Sequence, residues 1–282
     1  MTFREDERHP GGGEAKEAGS RSRLASLALA FAGCLWGTGF FFGKIAFREM
    51  SVTEKVSFRF ICGTVVLLPF LWRKWKPFGQ RQLALLLAAS IVGIPIQFLI
   101  QFKGLQLTTV SHASIIVGTL PMMLALGSAV FLHERLNNVE WGILVLSALG
   151  ALLIALSGLS LRAGLQATTK GDLLVWVSML AAVGMILITK HLFHTHDPLQ
   201  ITASMIVAGT VVLLVWAEIW QPLRFQFSAK TWMAVGAQGV FATAGACLCW
   251  NWGLARMTAS RSAVFLNLEP VVGTLLGLFF ST

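Results

Sequence analysis

Nine stretches of about 20 apolar residues follow one another along this chain. They lie at about 24–43, 54–73, 83–102, 110–132, 139–158, 172–190, 199–219, 231–253 and 259–281. As a helix, each rises roughly 30 Å, the thickness of a bilayer's hydrocarbon core. Only 12% of residues are charged, too few to coat nine such helices in a soluble fold. The connections leave no room for a soluble domain of useful size. The chain is therefore predicted to be an all-α integral membrane protein with nine transmembrane helices, acting within the bilayer or at its faces.

Residues 1–23 differ. They carry five acidic and five basic side chains around Gly11-Gly12-Gly13. Such a stretch buries too little apolar surface to offset its ordering entropy and reads as a disordered tail. It is too acidic for a transit peptide, and no small-residue cleavage site follows it, so the run at 24–43 reads as an uncleaved insertion signal. The net charge of +9 comes from Lys and Arg flanking the apolar runs, which does not call for a nucleic-acid partner. With the N-terminus inside, thirteen Lys/Arg fall on the cytoplasmic side and eight outside, Lys55 among the latter. Arg59 stands within its run. The excess places the N-terminus in the cytoplasm and the protein in the cell inner (plasma) membrane. Trp72, Trp75, Trp216 and Trp220 lie near run ends and read as interfacial anchors. Cys34, Cys62, Cys247 and Cys249 lack metal-type spacing and read as packing residues.

The second strong feature is internal similarity. Residues 102–133 align without a gap on 251–282, at a constant offset of 149. Gly104-Leu105 matches Gly253-Leu254, Thr109 Thr258, Ser111 Ser260, Pro121 Pro270, Leu126 Leu275 and Phe131 Phe280. The offset contains five helices, so the second copy enters the membrane from the opposite side. Inverted repeats of this kind build many secondary transporters, with a site near mid-membrane where the repeats meet. The first repeat is expected over 24–158, and the second, incomplete, over 172–282.

Several of these residues carry a resemblance. Leu35-Trp36-Gly37, Arg59-Phe60 and Gly104-Leu105…Ser111…Pro121…His133-Glu134-Arg135-Leu136 resemble one EamA-type repeat. Gly253-Leu254…Ser260…Leu268-Glu269-Pro270-Val271 resembles the second. The family belongs to the drug/metabolite transporter superfamily. The resemblance implies a ten-helix, inverted-repeat carrier, many of whose relatives export amino acids or related metabolites. The chain departs from that pattern after Thr282, where a tenth helix and an acidic-basic pair are expected. By the resemblance that helix is peripheral, and its loss is expected to cost lateral packing rather than the site.

Candidate transport residues come from polarity at mid-membrane. Pro121 and Pro270 lie about eleven residues into their runs, near the bilayer centre. As mid-helix prolines they would free the carbonyls of Val117 and Leu266, making a paired hinge or tolerated kinks. Glu269 is the acid at that depth, where an ionisable group is costly. It could carry a coupling proton, pair with a substrate ammonium, hydrogen-bond a neighbouring helix as the acid, or partner Arg59. Gln97 and Gln101 share a helix face, and their repeat mates are Ala246 and Trp250. A cavity there would set two amides against an indole, which suits a zwitterion or an aromatic metabolite. Interhelical bonding and interfacial anchoring are the structural alternatives. Asn267 and Trp36 are further candidates on the same grounds. Gly33/Gly37 and Gly39/Gly43 have the spacing of close helix packing within a bundle, or in a homodimer. His191, His194 and His196 lack the Cys or second carboxylate a metal site needs.

No cofactor, metal or catalytic motif is predicted, so the chain is read as a non-enzyme. The leading expectation is a secondary transporter of small metabolites, an exporter working by alternating access. The alternatives are a truncated, non-transporting protein that needs a partner helix, or a membrane-embedded enzyme or scaffold.

Overall fold

The computed structural model describes residues 12–71, 76–108, 116–135 and 169–280, with isolated positions between 113 and 149. Helix α1 spans Gly12–Ala46 and α2 Val52–Leu71. Helices α3 (Gln80–Ile91) and α4 (Gln97–Leu107) are joined through a π-helical turn, Val92–Ile96. Next come α5 (Leu120–Phe131), α6 (Thr169–Leu192) and α7 (Pro198–Trp220). Helices α8 (Ala229–Ala237) and α9 (Ala246–Leu254) are joined through a π-helical stretch, Gln238–Gly245. The last span is α10 (Ala259–Ala263), a 3-10 turn Val264–Asn267, and α11 (Leu268–Phe280).

Within the described residues the predicted runs are helical apart from Thr119 and Leu132; the run at 139–158 falls largely outside them. Among the described residues, five helical stretches are long and apolar enough to cross a membrane: Ser22–Ala46, Gln80–Leu107, Thr169–Leu192, Pro198–Trp220 and Ala229–Leu254. Helix α2 is 20 residues long but carries Glu54, Lys55 and Arg59, which dilute its apolar character.

Helix α1 begins at Gly12, inside the stretch expected to be a tail. Glu14-Ala15-Lys16-Glu17-Ala18 is a run of strong helix formers.

Packing pairs the helices in a regular way. Helix α1 packs on α9 and α11, while α6 packs on α4 and α5. Helix α2 packs on α7 and on the π stretch between α8 and α9; α7 packs in turn on α3. A shift by five predicted helices turns α2 on α7 into itself and each of the other pairings into another of them. The glycines show the same relation. A Cβ on Gly104 would stand 2.8 Å from Val175 Cγ2 and 2.9 Å from the Gly171 carbonyl, both on α6. A Cβ on its mate Gly253 would stand 2.6 Å from Leu29 Cγ and 3.0 Å from the Ala25 carbonyl, both on α1. Both positions need a side chain no larger than hydrogen. The π turns correspond as well: residues 92–96 shifted by 149 fall on 241–245. Thr109 and Ser111 lie outside the described residues.

Gly33 and Gly37 act inside the bundle, as their spacing suggests. They bring α1 against Phe265, Leu268, Glu269 and Val272. Trp216 and Trp220 are exposed and stack at 5.5 Å, as interfacial residues do. Trp72 and Trp75 fall outside the described residues.

Candidate functional site

Thr119 is a turn residue with φ −82° and ψ −13° within the apolar helical stretch Ile116–Phe131, and Pro121 follows it in the first turn of α5. Pro270 is the third residue of α11, directly after a 3-10 turn with helical backbone on both sides. Each proline thus follows a local irregularity in a helical stretch.

The interior between α1, α2, α4, the π stretch and α11 is polar. Gly63 and Gly239 make this arrangement. A Cβ on Gly239 would stand 2.4 Å from Cys62 Cβ and 2.7 Å from the Arg59 carbonyl, and one on Gly63 would stand 2.8 Å from Thr243 Cγ2. Helix α2 and the π stretch thus meet nearly backbone to backbone. That approach brings Arg59 Nε to 2.7 Å from Thr243 Oγ1 and Nη2 to 3.2 Å from the Ala242 carbonyl. The Thr243 hydroxyl in turn donates to the Gln238 carbonyl at 3.4 Å, across the five-residue step of the π stretch. The guanidinium also lies over the rings of Phe98, 5.0 Å from the centroid, and Phe60, 5.4 Å.

Glu269 stands near enough to Arg59 for their charges to interact. Among the described residues no ion pair within 4 Å joins them. Pairing is electrostatic rather than a closed salt bridge.

Lys55, one turn before Arg59 on the same face of α2, is the unexpected member. Sequence reading placed it among the exterior flanking charges, but it is 2% exposed. The turn after α1 and the side chains of α4 close over it. Its ammonium lies 4.1 Å from the Phe102 ring centroid and 4.9 Å from that of Phe47. Those two rings meet edge to face at 5.4 Å. Among the described residues no hydrogen-bond acceptor and no carboxylate within 4 Å reaches it. Burying an ion costs several kcal/mol, whereas a desolvated ring face returns roughly 2 kcal/mol. The rings offset only part of that cost.

The remaining predicted residues divide. Gln97 is half-buried, and its Oε1 is buried without a hydrogen-bond partner; Gln238 Oε1 is in the same condition. Gln238 Nε2 donates to the Gly39 carbonyl at 2.7 Å. Gln101 is half-buried on α4, next to Phe102. Trp250 faces elsewhere. It is buried against Trp36, ring centroids 5.3 Å apart, in a core with Leu29, Leu124 and Leu254. Phe98, beside Gln97, belongs to a different core with Phe60 and Ile94. Trp250 is thus neither an interfacial anchor nor grouped with the glutamine side of α4. Asn267 Nδ2 donates to the Val264 carbonyl at 3.2 Å, and its Oδ1 is buried without a partner. His196 stacks on Phe78 at 4.3 Å.

Two recesses open at the helix ends. One of about 280 Å³ is lined by Phe47, Ser51, Phe102 and Gln106 among others, so it shares the two rings that cover Lys55. The other, about 580 Å³, opens beside His133, Glu134, Arg135 and Trp141. There the Glu134 carboxylate is committed to capping α10. It accepts from the Ala259 and Ser260 amides at 2.9 and 3.0 Å and from Ser260 Oγ at 2.8 Å. The left-handed backbone at His133, φ 53°, ends α5 and turns Glu134 toward that helix start.

An all-helical bundle of apolar spans with charges held between them defines a multi-pass membrane protein. The EamA-like transporter family matches residues 23–156 and 169–282, and the chain belongs to that family. It is 25% identical to the uncharacterized transporter YetK of Bacillus subtilis (strain 168) over 258 residues, 89% of this chain and 78% of that protein. It is 27% identical to a protein named S-adenosylmethionine/S-adenosylhomocysteine transporter from Chlamydia muridarum (strain MoPn / Nigg), over 87% of this chain and 79% of that one. A solved crystal structure shares the fold with a TM-score of 0.76 at 18% identity, covering 91% of this chain and 88% of the other.

Proposed function

We propose that this chain is a secondary carrier that exports small metabolites, amino acids or related compounds, across the inner (plasma) membrane by alternating access. The N-terminus is cytoplasmic in this reading, and the two repeats are related by inversion. The observation that carries it is the opposition of Arg59 on α2 and Glu269 on α11. They are opposite charges from the two repeats, held inside the bundle without closing into an ion pair. Ionisable groups inside a membrane are costly and mark functional sites, and inverted-repeat carriers place such sites where the repeats meet.

The repeat-matched pairings, π turns and prolines support the exchange of conformations that alternating access requires. The irregularities before Pro121 and Pro270 are the hinges in this reading, and Glu269 is the proton-coupling group. Gln97, Gln101 and Asn267 supply polar lining in this reading, while Trp36 and Trp250 pack in a separate core. The Chlamydia relative widens the candidate substrates to S-adenosylmethionine and S-adenosylhomocysteine, both amino-acid derivatives.

The test is uptake into liposomes containing the purified chain, with a panel of L-amino acids and those two compounds. Saturable uptake of at least one above empty liposomes, reduced by Arg59→Gln, is the expected result. No uptake of any member by folded, inserted protein would remove the reading.

A further inference from the structure

Two cations, Lys55 and Arg59, stand one turn apart on the same face of α2, 2% and 7% exposed, with Glu269 as the acid whose charge reaches Arg59. Arg59 uses Nε on Thr243 and Nη2 on the Ala242 carbonyl. Its Nη1 and all three Lys55 donors have no acceptor among the described residues. The position a Gly43 Cβ would occupy lies 3.6 Å from Lys55 Nζ and 3.4 Å from Gln238 Nε2. A Cβ there would be in ordinary van der Waals contact with both, so no side chain stands between the ammonium and the amide N–H₂.

Donors without acceptors on two basic side chains call for a ligand group that accepts hydrogen bonds and carries negative charge. The walls beside the donors are the faces of Phe47, Phe98 and Phe102, which suit an organic body rather than a hydrated inorganic ion. We propose that Lys55 and Arg59 receive a carboxylate group on the transported molecule, covered by the Phe47–Phe102 ring pair. The substrate class is then small organic carboxylates, amino acids included. The recess of about 280 Å³ that shares those rings is the approach to the site, and separating the rings opens it. This inference rests on the carrier reading for its meaning as substrate recognition, but binding tests it separately.

The experiment measures thermal unfolding of the full chain in nanodiscs with L-methionine, L-leucine and L-phenylalanine, each against its primary amide, and with inorganic phosphate. Uptake of the same compounds into liposomes is measured in parallel. At least one acid is expected to raise Tm by several degrees while its amide and phosphate do not. Lys55→Gln should weaken that acid's binding tenfold or more, and Lys55→Arg should restore part of it. If Lys55→Gln does not fold, the acid-against-amide comparison on the unchanged protein decides alone. Carboxylate-selective binding without uptake upholds the site and removes the carrier reading. Uptake of amides equal to that of acids keeps the carrier and overturns the site. A shift with phosphate in place of the acids, or with none of the probes, also overturns it.

Discussion

Arg59 Nε donates to Thr243 Oγ1 at 2.7 Å, linking α2 to the π stretch Gln238–Gly245 across the interior. The bond exists because Gly63 and Gly239 let the two backbones touch. A hydrogen bond to a buried charge is worth about 1.5–3 kcal/mol. Thr243→Val, which keeps the shape and removes the acceptor, should lower stability by about that amount, and Thr243→Ser by much less. Thermal unfolding in nanodiscs checks both. Equal stability of Thr243→Val and the parent would show that Arg59 does not depend on this hydroxyl.

Gly104 and Gly253 should respond alike, because each meets both a side chain and a backbone carbonyl of the facing helix. Overpacking of this kind costs about 1–3 kcal/mol. Gly104→Ala and Gly253→Ala are each expected to destabilise by that order. Gly184 and Gly236 have nothing within 4 Å of an added Cβ and lie in helices. Alanine at either should be neutral, or stabilising by up to about 1 kcal/mol. Destabilisation by the second pair equal to that by the first would contradict the packing.

These two glycines also show how much was legible in the chain. Gly104 and Gly253, matched at a fixed offset in the sequence, each meet a facing helix closely. The apolar runs marked the described helices. Lys55 was missed because a lysine in the first turn of a helix normally reaches water. Only the closure of Phe47 and Phe102 buries it, and those rings are far apart in sequence. Its spacing of four from Arg59 was the available clue. Thr243 and Gln238 gave no signal, since a π stretch leaves no mark in hydropathy and it is this stretch that aims both inward. The turn at Thr119 and the 3-10 turn before Pro270 were not legible either, because apolar periodicity does not record local irregularities of a helix.

Glu269→Gln keeps the shape and removes the charge facing Arg59. If the carboxyl carries the coupling proton, flux in liposomes should fall at least tenfold and lose its dependence on an imposed pH gradient. Stability should change little, because no ion pair is broken. Unaltered flux with unaltered pH dependence would take Glu269 out of the mechanism.

At one end of the bundle Glu49 accepts from the Ser228 amide at 2.8 Å and its hydroxyl at 2.7 Å, while Glu54 holds Arg224 at 2.7 Å. The backbone bond from Ser228, followed by its side-chain bond, holds the Glu49 carboxyl below its ordinary range. A lowered folded-state value means that the clasp is present above the ordinary carboxylate range and is lost as pH falls through the lowered value. Hydrogen exchange at residues 224–231 should therefore quicken on acidification. Glu49→Gln should show the fast exchange at neutral pH as well. Slow exchange in that variant would mean that the loop is held by Glu54–Arg224 alone.

Trans-acceleration tests the carrier most directly. Liposomes containing the full chain are loaded with an unlabelled compound from the uptake panel, and entry of its labelled form is followed. A site exposed to one side at a time returns faster when occupied, so labelled entry should rise several-fold over unloaded liposomes, and Arg59→Gln should abolish the rise. Entry that is independent of internal substrate, at equal protein content, would contradict alternating access.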